Sequence, residues 1–309
     1  MAIGFKMLIN KIDNALFLVN PVSGKLSIKK KMSLIKNIVQ NNNSEIIVTR
    51  SPEESIEQSK TAMLNGRLVI SCGGDGLQNM VAEQAINTGG TMAVFPMGRG
   101  NDFAASLKID STDDVKLALD SRIVHKARYL QVEFDGYKKI CLTCAGVGLL
   151  SEAAFRASKI PILKGSLLYA VATLLSFVNL HNHRYQLLTS GKDKDDSFLI
   201  IAGAASSYTG GGMFIAPDAF KEEGNVNLLS AKKVNRLQAV KLLSQVFSGT
   251  HINNSNVINT HVSEFEIKTR STNAWAKLVY GDGEYLGTLP VKISIGKEPL
   301  NVLVPSSSG

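Results

Sequence analysis

The sequence predicts an α/β protein of two domains, a doubly wound parallel sheet followed by a mainly antiparallel, β-sandwich-like domain. Three observations carry this. Up to about residue 124, short apolar runs alternate with helix-period segments. Beyond it, alternating runs joined by turn residues take over. A chain of 309 residues, 44% hydrophobic and 19% charged, can also fill two cores. We place the domains at 1–124 and 125–296, with 297–309 returning to complete the first.

In the first domain ALFLVN (15–20) is a short apolar run stopped by Pro21, and KKKMSLIKNIVQ has helical spacing. EIIVT, a helix from Pro52 to Leu64, RLVISC, a helix from Leu77 to Ile86 and TMAVFP continue the alternation. In the second domain YLQVEFDGYKKICLTCAG carries Asp-Gly between two alternating runs, which reads as a hairpin. SFLIIAGAASS, NVNLLSAKK, EFEIKTR and AWAKLVYGDGEYLGTLPVKISIG add further strands. Helices are expected near 165–180 and 236–248. The chain shows no internal repeat, and PSSSG at its end reads as disordered.

Composition narrows the classes of function. The formal charge of +8 favours an anionic partner. Nucleic acid is disfavoured, because no basic stripe interleaved with aromatics is visible. MAIGFKMLINKIDN is broken by Lys6, Lys11 and Asp13 and does not read as a signal peptide. The longest apolar run, Leu167 to Leu180, has 14 residues against the about 20 of a membrane span. We therefore expect a cytoplasmic protein with no transmembrane segment. Cys141 and Cys144 lie in ICLTCAGVGLL, read as one strand that points them to opposite faces, so they are assigned to packing. The His181-Asn182-His183 triplet lacks a carboxylate at metal-ligand spacing in the sequence and is assigned no metal.

Three of the early strands run into loops rich in Gly, Asn, Asp and Ser: NPVSGK, CGGDG and PMGRGND. In parallel sheets ligands bind beyond the carboxyl ends of the strands, so these loops should converge on one crevice. NPVSGK is no P-loop, because Val19 stands at the first glycine position and Leu26 follows Lys25. CGGDG strips side chains from a turn and leaves Asp75, as close approach to a bulky anion requires. Alone, that motif or GDGE (281–284) could be a plain tight turn.

The order NPVSGK, CGGDG, PMGRGNDFA, SYTGGGMFIAPDA, GDGE, over roughly residues 14 to 300, resembles the diacylglycerol kinase catalytic family, specifically its bacterial lipid kinases. The resemblance implies transfer of the γ-phosphate of ATP to a lipid hydroxyl, diacylglycerol-like. It implies a nucleotide-binding first domain and an active site between the domains. Asn20, Pro21, Ser23, Gly24, Lys25 and Thr49 would line the nucleotide. Gly73, Gly74, Gly76 and Leu77 would form the phosphate turn, with Asp75 acting on the phosphate or its Mg2+. Gly98, Arg99, Gly100, Asn101 and Asp102 would complete the crevice. Glu284 would be the proton acceptor, with Asp282 as an orienting or metal-linked carboxylate. A second, structural Mg2+ would sit at the carbonyls of Phe220 and Asn225 and the carboxylate of Glu223. Leu167 to Leu180, which reads equally as a buried core helix, and the Gly210 to Met213 loop would wall a lipid groove at an anionic membrane surface, bound peripherally; a homodimer stays open.

The chain departs from the family at three positions: Leu77 replaces a hydroxyl after GGDG, Met80 an acidic residue, and Arg99 a threonine. Two neutral hydrogen bonds of about 0.5 to 1.5 kcal/mol each are lost. Arg99 could replace them with a charge-assisted phosphate contact. The competing readings are a non-catalytic or degenerate nucleotide- or lipid-binding relative, and an NAD kinase-like enzyme.

Overall fold

The computed structural model describes residues 7–8, 14–39, 44–158 and 180–306. It forms two compact units: the described residues up to Ala127 together with those from Lys297 onward, and residues Arg128–Gly296. The helix expected near 165–180 lies outside the described residues, apart from Leu180, which is not helical.

Unit 1 runs β1 (Met7–Leu8), β2 (Leu16–Val19), α1 (Ile28–Ile38), β3 (Glu45–Val48), α2 (Pro52–Leu64), β4 (Val69–Gly73), α3 (Asp75–Thr88), β5 (Thr91–Pro96), α4 (Asp102–Ser106), α5 (Thr112–Ser121) and β6 (Ile123–Ala127). The chain returns to it as β18 (Leu300–Val304). The sheet order is β1-β6-β18-β5-β4-β2-β3. From β18 to β3 every pairing is parallel, and beyond β18 the sheet continues antiparallel through β6 to β1 at the edge. Central strands β2 and β4 are buried along their whole length, as a sheet covered on both faces demands. Caps fix where the helices begin. Ser51 accepts a hydrogen bond from the Glu54 amide ahead of Pro52, and Ser111 with Asp114 forms a capping box on α5. The phosphate-turn helix starts two residues earlier than the sequence suggests, at Asp75, because Gly74 serves as its cap.

Unit 2 contains β7 (Leu130–Phe134), β8 (Tyr137–Cys141), β9 (Cys144–Gly148), α6 (Leu149–Ser158), β10 (His183–Thr189), β11 (Lys192–Ala204), β12 (Val226–Lys232), α7 (Arg236–Ser248), β13 (Val257–Val262), β14 (Glu264–Lys268), α8 (Ala274–Lys277), β15 (Leu278–Gly281), β16 (Glu284–Thr288) and β17 (Val291–Ile295). All its pairings are antiparallel, in the order β16-β15-β9-β11-β10-β14-β17-β7-β8, with β12 and β13 branching from β11. The core gathers alternate residues such as Leu130, Val132, Phe198, Phe265, Ile267 and Ile293. The Asp135-Gly136 hairpin joins β7 to β8 with Phe134 opposite Tyr137. ICLTCAGVGLL is not one strand. It ends at Cys141, bends at Leu142-Thr143, resumes at Cys144 and becomes α6 at Leu149. The single-strand reading fails because a carboxylate from elsewhere in the chain takes the amides of the bend, as described below.

Candidate active site

In unit 1 the ends of β2, β4 and β5 carry three loops that pack on one another through their glycines. Gly24 sits at φ +64°, and a Cβ there would run into the Met97 carbonyl oxygen. Gly74 and Gly98 approach so closely that a Cβ on Gly98 would strike the Gly74 Cα. The absent side chains thus bring NPVSGK and CGGDG against PMGRGND.

Polar ties fix that arrangement. Asp75 Oδ2 accepts from the Asn101 amide at 2.9 Å, joining the second loop to the third. Asn101 is left-handed, at φ 58°, and its Oδ1 accepts from the Gly98 amide at 2.9 Å. Asp102 is buried in the first turn of α4. Gly76 and Gly100 are half-buried, while Lys25 and Arg99 are exposed. Asp75 stands at the start of a helix of 14 residues whose first amides are free of intrahelical partners.

Two expected lining residues turn out to be structural. The Leu77 side chain is 3% exposed and packs beneath Gly73, so it does not line the cradle. Thr49 is buried, and its hydroxyl accepts from Ser55 Oγ at 2.9 Å, which leaves it no outward face. Conversely, Lys31 is a residue that motif reading passes over. It is 0% exposed, and its ammonium donates to the carbonyls of Asn20 (2.7 Å), Pro21 (3.2 Å) and Ser23 (2.7 Å) and to Ser23 Oγ (2.9 Å). The ammonium therefore holds the whole NPVSG turn in shape. Burial pushes it below its ordinary value, and Cys72 gives no counter-charge, because its own buried thiol is pushed well up and stays neutral. The clue in the sequence was positional: Lys31 lies one turn before Ile35, on the buried face of α1.

In unit 2 the GDGE hairpin joins β15 to β16, with Gly281 opposite Glu284 and positive φ at both Asp282 (51°) and Gly283 (80°), as a two-residue turn of type I′ requires. The Asp282 carboxylate accepts from the Leu142 amide (2.7 Å), the Thr143 amide (2.9 Å) and Thr143 Oγ1 (2.6 Å). These bonds break the Cys141–Cys144 stretch into two strands. Thr143 Oγ1 lies 3.3 Å from Thr209 Oγ1, at the foot of the glycine loop in which Thr209 and Met213 exchange backbone hydrogen bonds. Asp282, Thr143 and Thr209 are thus joined in one hydrogen-bonded series that runs from the half-buried carboxylate to two buried hydroxyls, and neither threonine was singled out in the sequence. Glu284 stands at the solvent edge of the hairpin. Protein packed on its inner side still desolvates its carboxylate, and this, with the Asp282 charge, pushes it above the ordinary carboxylate range against a weaker opposing pull from Lys139.

Of the residues expected to hold a structural metal, Asn225 has its carbonyl engaged by a protein cation. Arg128 donates from Nη1 to the Ala219 carbonyl and from Nη2 to the Asn225 carbonyl, which places a fixed positive group on one expected ligand oxygen. Phe220 is exposed, with its ring 5.9 Å beneath the guanidinium. The histidine triplet, in contrast, does meet a carboxylate. Glu152 of α6 brings Oε1 to 3.5 Å from His181 Nδ1 and 3.6 Å from His183 Nε2, a proximity that linear spacing cannot show. Among the described residues no group of three His, Cys, Asp or Glu could hold a metal ion. Cys72, Cys141 and Cys144 are free, buried thiols.

A parallel-sheet unit with glycine loops at its strand ends, followed by an antiparallel unit that presents an oriented pair of carboxylates, defines the NAD kinase-like class of phosphotransferase folds. Two family models match the chain: the diacylglycerol kinase catalytic domain over residues 14–132, and the YegS C-terminal NAD kinase beta sandwich-like domain over residues 143–304. The chain belongs to this family of bacterial lipid kinases. A diacylglycerol kinase of Bacillus subtilis is 25% identical over 302 residues, covering 95% of this chain and 97% of that one. A probable lipid kinase YegS-like of Yersinia enterocolitica is 28% identical over 217 residues, 68% of this chain and 70% of its own. The crystal structure of a diacylglycerol kinase from Bacillus anthracis superposes with a TM-score of 0.70 at 15% identity, covering 94% of this chain and 97% of that one, and shows the same fold.

Proposed function

We propose that the chain is an ATP-dependent lipid kinase that phosphorylates a diacylglycerol-like alcohol. The observation that carries this is the Asp75–Asn101 tie, which draws two glycine-rich loops together at the start of α3, where helix-start amides and a carboxylate suit a polyphosphate and its metal. Asn20, Pro21, Ser23 and Gly24 form the wall that Lys31 holds in place. Asp75 is the carboxylate of this cradle suited to a Mg2+ carried in with the nucleotide, and that ion would neutralise charge on the transferring phosphoryl group.

In this reading Glu284 takes the proton from the lipid hydroxyl as its oxygen forms a bond to the γ-phosphorus. The bond from the γ-phosphorus to the bridging oxygen breaks, and ADP leaves. A carboxylate raised above its ordinary range is a better base for an alcohol than an unperturbed one, and Asp282, clamped by three donors, supplies part of that rise. No helix among the described residues is long and apolar enough to cross a membrane. We infer that the lipid is met at an anionic surface through the +8 charge, so that vesicle binding should weaken as salt rises.

The deciding experiment incubates the protein with ATP, Mg2+ and a panel of diacylglycerol, monoacylglycerol, phosphatidylglycerol and sphingoid bases. Diacylglycerol should gain the mass of one phosphate. Phosphorylation of NAD instead, or hydrolysis of ATP with no lipid product, would overturn the reading.

A further inference from the structure

We infer that the guanidinium of Arg128 is the resident cation of the loop at residues 219–225, so that this loop is held by an internal charge and takes no divalent metal. Every residue involved lies in unit 2, and none depends on what the phosphate acceptor is.

The loop leads into β12, and two of its carbonyls, those of Ala219 and Asn225, converge on one planar group. Arg128 gives Nη1 to the first and Nη2 to the second. Two parallel N–H donors in a rigid fork suit two neighbouring oxygens in a way that a lysine or a hydrated ion does not. The Phe220 ring lies 5.9 Å from the guanidinium carbon, at the distance of a cation–π contact. Glu223 supplies an opposing charge: burial lowers the Arg128 guanidinium from its ordinary value and Glu223 raises it. Further bonds stiffen the loop from outside. Asn225 Nδ2 donates to Glu222 Oε2 at 2.8 Å, Lys221 Nζ pairs with Asp218 Oδ1 at 2.8 Å, and Asn259 Nδ2 donates to Asp218 Oδ2 at 3.0 Å.

A magnesium ion needs about six oxygens at about 2.0–2.1 Å, and calcium needs six to eight. Here the Asn225 carbonyl already faces a guanidinium N–H, and a doubly charged ion on that oxygen would sit within a few ångströms of a fixed positive group. Glu222, another carboxylate of the loop, is engaged by Asn225. Arginine stays protonated at any working pH, so this cation cannot be stripped by a chelator. Arg128 is the first residue of unit 2, and its two bonds reach 91 and 97 residues along the chain. The loop's order is thereby tied to the entry of the domain and uncoupled from the supply of Mg2+.

The test uses the full chain, freed of metal and kept without nucleotide. Mn2+ binding is followed by electron paramagnetic resonance on wild type and Glu223→Ala, and thermal unfolding is followed in EDTA and in millimolar MgCl2 on wild type, Glu223→Ala and Arg128→Ala. Wild type and Glu223→Ala should bind Mn2+ with the same stoichiometry and affinity, and any Mg2+ effect on the midpoint should be the same in both. Arg128→Ala should melt several degrees lower. Loss of one Mn2+ equivalent in Glu223→Ala, a Mg2+-dependent midpoint that Glu223→Ala abolishes, or an unchanged midpoint in Arg128→Ala would each overturn the inference. Should Arg128→Ala fail to fold, the Mn2+ comparison on the other two proteins decides.

Discussion

Replacing Lys31 with methionine tests whether the nucleotide wall is held from inside. Methionine keeps the length and apolar stem of lysine and removes the donor. The ammonium has three protons and four acceptors, and three of these lie at 2.7 to 2.9 Å, the Pro21 carbonyl being the weakest at 3.2 Å. Charged hydrogen bonds contribute about 1.5 to 3 kcal/mol each, so three strong ones set a ceiling near 9 kcal/mol. The loss will be well below that ceiling, for two reasons. The loop is only part-buried and can open to water, and methionine no longer suffers the desolvation that lowers the Lys31 ammonium. About 1 kcal/mol per lost bond is a fair remainder, or about 3 kcal/mol in all.

That energy stabilises the NPVSG turn more than the β-sheet beneath it, so it should appear in ATP binding before it appears in unfolding. A difference of 3 kcal/mol corresponds to about 10²-fold in affinity. Calorimetric titration with ATP, and the KM for ATP at saturating lipid, should both weaken by about that factor in Lys31→Met, while circular dichroism keeps its wild-type form. ATP affinity within about threefold of wild type would refute the reasoning, because it would mean that the turn keeps its shape without the ammonium or plays no part in holding ATP.

Three further outcomes follow from the site. Glu284→Gln should cut turnover by about 10²-fold or more and leave ATP binding intact. It should also stabilise the fold: the native carboxyl keeps its proton to higher pH than the unfolded one, so wild-type stability falls as pH rises from near 4.5 through the raised value, and the Gln variant is spared. Melting of the two proteins should therefore coincide below that pH and diverge above it. Asp282→Asn should cost about 2 to 4 kcal/mol, because an amide cannot accept from the Leu142 and Thr143 amides and Thr143 Oγ1 together. Any activity left in it should show its acid limb at lower pH, since the charge that raises Glu284 is gone. Leu77→Thr should destabilise unit 1 by about 2 to 4 kcal/mol and gain no ATP affinity, measured by thermal unfolding and calorimetry, because a packed side chain is lost and a hydroxyl is buried under Gly73.

What the sequence could show follows from the range of each interaction. Strand–helix alternation and the Asp135-Gly136 and Asp282-Gly283 turns are local, and β5, α2 and α7 run over the spans their patterns suggest. The glycine loops were visible for the same reason, since missing side chains are written in the sequence itself. Long-range pairings were not. No pattern within ICLTC announces that Asp282, some 140 residues away, will take two of its amides and turn one strand into two. Likewise Arg128 and Asn225 are 97 residues apart, and the guanidinium is invisible to a reading that looks for metal ligands by spacing within the loop. Lys31 escaped because charge in KKKMSLIKNIVQ reads as a solvated face, and only the periodicity against Ile35 argues otherwise.

The same distinction explains the least typical residue of the phosphate turn. Read as a motif, Leu77 subtracts a hydroxyl from the phosphate site and weakens the case for a kinase. In the folded chain its side chain points away from the cradle, beneath Gly73, so the position acts on packing rather than on ligand contact. The amides of Gly74 and Asp75 are aimed by the start of α3, and that helix is seated by Leu77, Val81 and Ala85 on its buried face. A larger apolar contact at its first turn stiffens the amides that the phosphates would meet, and it asks nothing of Asp75, which Asn101 holds separately. In the proposed reading, the exchange of hydroxyl for leucine would shift phosphate recognition from a side-chain donor to pre-set backbone donors. Arg99 then remains as the exposed group free to add charge where the hydroxyls are missing.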